Sequence, residues 1–128
     1  MTAVPVLTLT TVNVSAPDPG ALAGFYQRLL GWTRVAAEPD WVLLRPAPGG
    51  VGLSFQRESG YVPPVWPARA GDQQMMLHLE IQVDDLDAAV RHAVDCGATL
   101  AAYQPQDDVR VCLDPAGHPF CLWVATQA

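Results

Sequence analysis

The sequence predicts an α+β fold in which two tandem βαβββ units form a curved mixed sheet around a cleft. One strand pattern, one helix pattern and three further strand patterns follow each other twice along the 128 residues. A repeated unit at a fixed offset indicates one domain made of two equivalent halves. We expect a single domain with a first unit at residues 1–58, a linker at 59–74 and a second unit at 75–128. The offset is 67 positions, which separate Thr11 from His78, Asp18 from Asp85, Pro48 from Pro115, Gly50 from Gly117 and Ser54 from Cys121.

The first unit begins with an alternation of apolar and polar residues over 7–14, which predicts a strand. A helix then opens at Pro17-Asp18-Pro19, where aspartate can cap the first turn, and it runs up to Gly31. Its apolar residues recur at three- and four-residue spacing and predict a core-facing stripe. Further strand patterns lie at 32–37, 41–45 and 51–57.

The linker at 59–74 has no periodicity and contains Pro63, Pro64 and Pro67, so we expect an extended and stiff segment. Its Tyr61 and Trp66 are too apolar to remain in water. They favour a linker that packs along a surface or over a cleft, although a strap that only tethers the two units is the alternative.

The second unit repeats the first with a strand at 78–83, in which Leu79, Ile81 and Val83 alternate with polar residues. The period then changes to that of a helix, which begins at Asp84 or Asp85 and ends at Gly97. Strand patterns follow at 99–103, 108–113 and 119–125, with a turn at 114–118 before the last.

Each unit has one helix, which can cover only one face of its sheet. Alternation assigns the apolar strand residues to the helix side. The opposite face, called the open face here, is polar with interleaved aromatic residues, which suits a ligand cleft better than a dry core, although a solvated sheet would also be polar. We expect the open face to contain Thr11, Asn13, Trp41, Ser54, Gln56, His78, Glu80, Gln82, Arg110, Cys112, Cys121 and Trp123.

The composition of the chain limits which partners and which cell compartment we expect. Half of the residues are hydrophobic, 16% are charged and the net charge is −6, which argues against nucleic acid or an anionic membrane as the partner. The sequence shows neither a secretory leader nor an apolar run of about 18 residues. Three cysteines without a CxxC pair favour reduced thiols, so we expect a cytoplasmic protein.

Three motifs give the chain a resemblance to the vicinal oxygen chelate superfamily, which includes glyoxalase I, the bleomycin-resistance proteins and the extradiol dioxygenases. They are DP…AGFY…LLGW at 18–32, VDDLDAAV at 83–90 and DPAGHPF at 114–120. The chain is most similar to the small glyoxalase-like domain proteins of the actinobacterial type. The resemblance implies paired βαβββ units with a cleft, commonly as a homodimer, but it does not specify an activity because this fold hosts several chemistries.

The resemblance also implies four metal-ligand positions, which here are Thr11, Ser54, His78 and Cys121. Only His78 keeps a ligand that the family uses, because hydroxyls are weak donors and Cys121 replaces a carboxylate. We therefore expect no cofactor, with a divalent metal on His78, Glu80 and Cys121 as the alternative.

Several side chains have a functional and an ordinary interpretation. His78 and Glu80 point the same way from one strand and can seat a metal or act as a base, or can simply be hydrogen-bonded. Cys112 and Cys121 can form a zinc site with His78 or a redox pair with each other, or they can fill space as thiols do. For His118, in a turn, we expect a capping or solvent-exposed role.

The first functional hypothesis is therefore a binder of a small organic molecule, aromatic or cationic, that is held in the cleft. The bleomycin-resistance proteins offer this mode, in which a guest is sequestered without a reaction. We expect its contacts among Thr11, Asn13, Trp41, Ser54, Gln56, His78, Glu80, Arg110, Cys121 and Trp123. The second hypothesis is a metal-dependent lyase or dioxygenase with a depleted ligand set, and a protein-interaction module is a third.

Overall fold

In the computed structural model, which describes residues 5–125, strand, helix and three strands follow one another twice. This order confirms the two tandem βαβββ units. The first unit consists of β1 (Thr11–Ala16), α1 (Pro19–Leu30), β2 (Thr33–Glu38), β3 (Trp41–Arg45) and β4 (Gly52–Arg57). The second consists of β5 (Leu79–Gln82), α2 (Leu86–Cys96), β6 (Thr99–Leu100), β7 (Val109–Leu113) and β8 (Pro119–Trp123).

Each unit forms its own four-stranded mixed sheet, in the order β1-β4-β3-β2 and β5-β8-β7-β6. The first and last strands of a unit are parallel, and the other pairs are antiparallel. Their register follows the sequence repeat. Asn13 lies opposite Ser54 in the first sheet, and Glu80, 67 positions after Asn13, lies opposite Cys121 in the second.

The repeat does not hold for β7. Leu44 pairs with Leu53, nine positions on, whereas Cys112 pairs with Phe120, only eight positions on. The shorter turn moves β7 by one residue relative to the offset, and a shift of one residue exchanges the two faces of a strand.

Two predictions about the open face were wrong for this reason. Arg110 lies opposite Leu122 and Cys112 opposite Phe120, both on the helix side, and Val111 takes the place on the open face opposite Cys121. Cys112 is completely buried in the main core, whereas Cys121 belongs to a second, small cluster on the other side of the sheet.

Both helices begin and end where the local sequence predicts. The carboxylate of Asp18 accepts a hydrogen bond from the Ala21 backbone N–H at 3.1 Å, and Asp85 accepts one from Ala88 at 3.0 Å. These bonds satisfy N–H groups that the first helical turn leaves unpaired. The first helix ends at Gly31, whose φ of 72° lies in the left-handed region that glycine adopts without strain.

The main core lies between the helices and the helix-facing sides of the sheets, and it is shared by the two units. The Tyr26 ring stacks on Phe55 of the first sheet at 5.6 Å between centroids and meets Phe120 of the second sheet at 6.1 Å. Phe25, also completely buried, contacts Phe120 as well. The α1 stripe therefore joins the two halves through one aromatic cluster.

The edge strands β1 and β5 begin later than the alternation predicts. The first was expected from residue 7 but begins at Thr11, and Leu7 and Leu9 are 85% and 72% exposed. The fifth begins at Leu79 after the exposed Met76 and Leu77. Both β1 and β5 are edge strands, so one side of each has no neighbour within its own sheet.

Among residues 5–125, neither helix has the length and apolar character needed to cross a membrane.

Candidate functional site

A cavity of about 290 Å³ lies on the open face of the second sheet. Strands β5, β7 and β8 supply its floor, and the linker supplies part of its wall. Its volume is at the lower end of the range typical of small-molecule sites. The lining residues are Trp66, Met75, His78, Glu80, Pro105, Gln106, Val109, Val111, Pro119 and Cys121.

Three side chains with metal-ligating or acid–base chemistry meet in this cavity. The ligand atoms of His78, Glu80 and Cys121 all lie within 4.8 Å of one another. His78 and Glu80 share a face because they are two residues apart on an extended segment, and Cys121 joins them because it lies opposite Glu80 on β8. The Nε2 atom of His78 is 2.6 Å from Oε1 of Glu80, a hydrogen-bonded pair with about half of the glutamate side chain exposed.

Burial keeps the thiol of the cavity protonated at neutral pH. The pKa of Cys121 is raised to about 11, first by desolvation and then by the negative charge of Glu80, to which the thiol also hydrogen-bonds. Burial alone raises the pKa of Cys112 to about 11 on the other face of the sheet. Both groups therefore favour the neutral thiol over the nucleophilic thiolate.

The linker covers the cavity with an aromatic side chain. The Trp66 indole packs against a small apolar cluster of Ala101, Val111 and Cys121, and its Nε1 donates a hydrogen bond to the Tyr103 carbonyl at 3.3 Å. The Tyr103 ring lies beside it at 6.1 Å between centroids. The linker is thus a wall of the cavity as well as a connection between the units.

The residues predicted for the open face of the second unit are only partly brought together. The cavity collects His78, Glu80 and Cys121, whereas Arg110 is on the helix side of the sheet. Trp123 pairs with Gln82 and Val109 at the end of β8 and is not one of the described residues that line the cavity.

The predicted residues of the first unit lie elsewhere. The Asn13 amide donates to the Ser54 hydroxyl at 2.7 Å, and Ser54 is only 3% exposed. The Thr11 hydroxyl accepts a hydrogen bond from the Arg45 guanidinium at 3.3 Å. Trp41 and Gln56 border a separate, open depression of about 510 Å³ together with Asp40, Arg57 and Ser59.

Sequence reasoning missed most of the residues that reach the cavity from outside the strands. Met75, Pro105 and Gln106 come from the segments before β5 and before β7, and the sequence held no local signal for them. Trp66 was expected in a linker that packs along a surface or over a cleft, and it lines the cavity.

A second depression of about 810 Å³ lies at the start of α2 and is lined by Gln82, Val83, Asp84, Asp85, Ala88, Ala89, Val124 and Ala125. It is larger but wide open, and its described lining contains no aromatic ring, thiol or imidazole. The cavity beneath Trp66 is therefore the better candidate site.

The donor set of the cavity fits a divalent metal. Zinc accepts an imidazole, a carboxylate and a thiolate as ligands, so His78, Glu80 and Cys121 would hold the ion. Binding would require the Cys121 thiol to lose its proton. Thr11 and Ser54, the other two positions implied by the resemblance, belong to the first sheet and do not line this cavity.

The pattern of a family described as "glyoxalase-like domain" matches residues 11–123. No curated protein matches the chain. Among solved structures, the chain is similar to a glyoxalase/bleomycin resistance protein/dioxygenase family enzyme from Burkholderia phytofirmans, with a TM-score of 0.71 and 21% identity. That match covers 94% of this chain and 100% of the other.

Two further structures have the same fold. A glyoxalase/bleomycin resistance protein from Albidiferax ferrireducens gives a TM-score of 0.64 at 17% identity and covers 91% of this chain and 98% of its own. TnmS3, an antibiotic binding protein from Streptomyces, gives a TM-score of 0.59 at 18% identity, and the match covers 97% of this chain and 100% of TnmS3. At these identities the likeness establishes the fold, and function must be argued from the site.

Proposed function

The chain belongs to the glyoxalase-like domain family, and on this premise we propose that it binds a small organic molecule in the cavity beneath Trp66. The observation that carries the proposal is the cavity itself, in which an indole and apolar side chains surround one carboxylate. A few placed polar groups in an apolar concavity are typical of ligand sites. The structural similarity to TnmS3, an antibiotic binding protein, supports the binding of an organic molecule.

The size and charge of the cavity favour a compact aromatic cation. A volume of about 290 Å³ admits a guest of roughly one or two rings. Glu80 supplies negative charge at the rim, and the face of an indole attracts a cation within about 6 Å. The net charge of −6 acts in the same direction over longer distances.

The binding proposal is tested by titrating the ¹⁵N-labelled protein with a panel of aromatic amines and their neutral analogues, for example benzylamine and benzyl alcohol. We expect saturable shifts of the Trp66 indole signal and of the backbone amide signals of the cavity residues, with a higher affinity for the amine than for its neutral analogue. The backbone amide signals also report binding in Trp66→Ala. Trp66→Ala removes the site, whereas Trp123→Ala, which alters a tryptophan outside the cavity, leaves binding intact.

The role of Glu80 has its own control. Glu80→Gln keeps the shape of the side chain and removes its charge, so we expect the preference for benzylamine over benzyl alcohol to disappear. Absence of saturable binding by every compound of the panel, or equal binding by Trp66→Ala and the wild type, would contradict the proposal.

A second candidate is a metal-dependent lyase or dioxygenase of the vicinal oxygen chelate type, favoured by the convergence of His78, Glu80 and Cys121. These three residues would hold the ion. A bound divalent metal supplies a Lewis acid that polarises an oxygen of the substrate. The Trp66 side chain would reduce the access of water to the cavity.

Elemental analysis of the purified protein tests the metal candidate. Stoichiometric zinc, iron, nickel or manganese that is lost in His78→Ala but retained in His92→Ala, on the exposed side of α2, would support it. No metal above background after dialysis against each ion would exclude it, while the binding proposal would stand.

We also propose that the protein is a cytoplasmic homodimer of the actinobacterial glyoxalase-like type, formed as one domain with the linker at 59–74. Dimerisation is supported by the exposed apolar residues beside two sheet edges, including Leu7, Leu9, Met76 and Leu77. The cytoplasm is supported by the three cysteines, all of which are free thiols.

A further inference from the structure

A buried carboxylate lies at the seam between the two units. The side chain of Asp114, in the turn before β8, has no exposed surface. It accepts hydrogen bonds from the Tyr26 hydroxyl at 2.8 Å and from the backbone N–H groups of Ala116 and His118 at 3.0 Å. The Nδ1 atom of His118 lies 2.9 Å from both carboxylate oxygens. A carboxylate without exposed surface needs such donors to replace the hydrogen bonds of water.

The second ring nitrogen of His118 also faces acceptors. Nε2 is 2.9 Å from the backbone carbonyl of Ser15, at the outer edge of β1, and 3.1 Å from the Tyr61 hydroxyl. The Tyr61 hydroxyl donates its hydrogen bond to the Ala116 carbonyl, 2.8 Å away, so its oxygen can only accept a hydrogen bond from the His118 ring. An imidazole whose two nitrogens both donate is the charged imidazolium, which balances the buried charge of Asp114.

These contacts hold the start of the linker. Tyr61 is its third residue and Trp66, which walls the cavity, follows five positions later. Between them Pro63 packs on Gly117, where an added Cβ would lie 3.1 Å from that of the proline. Because Pro63 and Pro64 restrict the backbone, we expect a displacement at Tyr61 to reach Trp66.

We propose that His118 is a positioning residue for the cavity: its imidazolium joins Asp114, the β1 edge and Tyr61, and thereby sets the place of Trp66. Loss of the ring proton removes the hydrogen bond to Asp114 or the one to Ser15, and Trp66 then moves. The consequence for a guest rests on the proposed function, whereas the position of Trp66 in the ligand-free protein does not.

The titratable groups around the His118 ring come from three parts of the chain. The ring contacts Asp114, from its own turn, and Tyr61, from the linker. Tyr26, from α1, hydrogen-bonds to the carboxylate of Asp114. Strand β1 contributes only a backbone carbonyl, that of Ser15. Burial and then Asp114 raise the pKa of Tyr61 to about 12, and burial raises that of Tyr26 well above its ordinary value. Both tyrosines therefore remain neutral.

The test uses ligand-free, full-length protein with 5-fluorotryptophan, in which Trp66→Phe assigns one ¹⁹F resonance. Spectra are recorded from about pH 5 to about pH 8, the range in which histidines commonly change charge. We expect the Trp66 resonance to move with pH together with the His118 ring ¹⁵N signals. All proteins carry His78→Gln, because His78 lines the same cavity as Trp66. In this background His118→Gln should displace the resonance and remove its pH dependence, whereas His92→Gln should change neither.

Several outcomes would overturn the proposal. The first is that the ring nitrogens of His118 show a neutral imidazole at pH 5. The second is that the Trp66 resonance stays fixed while the His118 signals change with pH. The third is that the Trp66 resonance of His118→Gln still changes with pH. If His118→Gln does not fold, Tyr61→Phe serves instead, because it keeps the aromatic ring and removes the hydroxyl that contacts His118. A Trp66 resonance that is unchanged in Tyr61→Phe would also overturn the proposal. Failure to find a guest leaves these readouts intact and counts only against the proposed function.

Discussion

Glu80 has two partners that affect the cavity differently. It accepts a hydrogen bond from the His78 ring at 2.6 Å, and its charge contributes to the raised pKa of Cys121. The same carboxylate that favours a cationic guest therefore suppresses the thiolate. A cavity arranged in this way favours holding a molecule over attacking it with sulfur.

The first prediction follows from the thiol. Since the pKa of Cys121 is about 11, the thiolate fraction at neutral pH is roughly 100-fold below that of an unperturbed cysteine. We expect iodoacetamide to label Cys121 slowly at pH 7.5 and increasingly fast as pH rises, as followed by mass spectrometry. Glu80→Gln removes a negative charge, lowers the pKa of the thiol and should accelerate labelling several-fold.

Cys121→Ser identifies the modified site, and the half-buried Cys96 in the same molecule serves as an internal reference. Rapid labelling of Cys121 at pH 7.5, or a rate that Glu80→Gln leaves unchanged, would refute the charge coupling between these two residues.

At the scale of elements, the helices were predicted closely because their boundaries are encoded locally. The sequence left Asp84 and Asp85 as alternative caps for α2. The structure selects Asp85, which has extended backbone angles and reaches the Ala88 N–H. The choice depends on a turn of the chain that is visible only when the backbone is folded.

The second prediction uses this pair. Asp85→Ala removes the capping hydrogen bond and should lower the free energy of unfolding by about 1 kcal/mol. Asp84→Ala, one residue earlier and without that bond, is the matched control and should have a smaller effect. Urea denaturation monitored by circular dichroism measures both variants, and equal losses would show that the cap contributes no specific stability.

Across the whole molecule, two sheets share one core but leave two edges without a neighbour in their own sheets. Leu9, beside β1, is 72% exposed, and Met76, near β5, is 83% exposed. Burial of a leucine side chain contributes about 1.5–3 kcal/mol, so pairing of these edges between two copies would be favourable. Such pairing would also extend β1 toward residue 7, where the alternation predicts a strand.

The third prediction is therefore a dimer of the 13.7 kDa chain in analytical ultracentrifugation. Leu9→Lys introduces a charge at the proposed contact and should shift the equilibrium toward the monomer by about tenfold or more, the equivalent of 1.4 kcal/mol. Val94→Lys, on the half-exposed surface of α2, should not. A wild-type protein that remains monomeric at all concentrations would contradict this assembly.

The sequence by itself determined the two units, the bounds of most elements and the approach of His78, Glu80 and Cys121. These features follow from local rules. Backbone periodicity reveals strand faces and helix stripes, aspartate and glycine mark helix ends, and residues two apart on a strand share a face. The place of Cys121 beside them was implied by the resemblance, whose ligand positions come from the first and last strands of each unit.

Only the tertiary structure decided which side chains complete the cavity. The register of β7 depends on a turn that is one residue shorter than its counterpart, and this turned Arg110 and Cys112 to the helix side. Trp66 and Asp114 acquire their places through contacts with residues far away in sequence. Local patterns report the conformation of a segment, whereas register, linker packing and buried ion pairs are set by long-range contacts that no single segment contains.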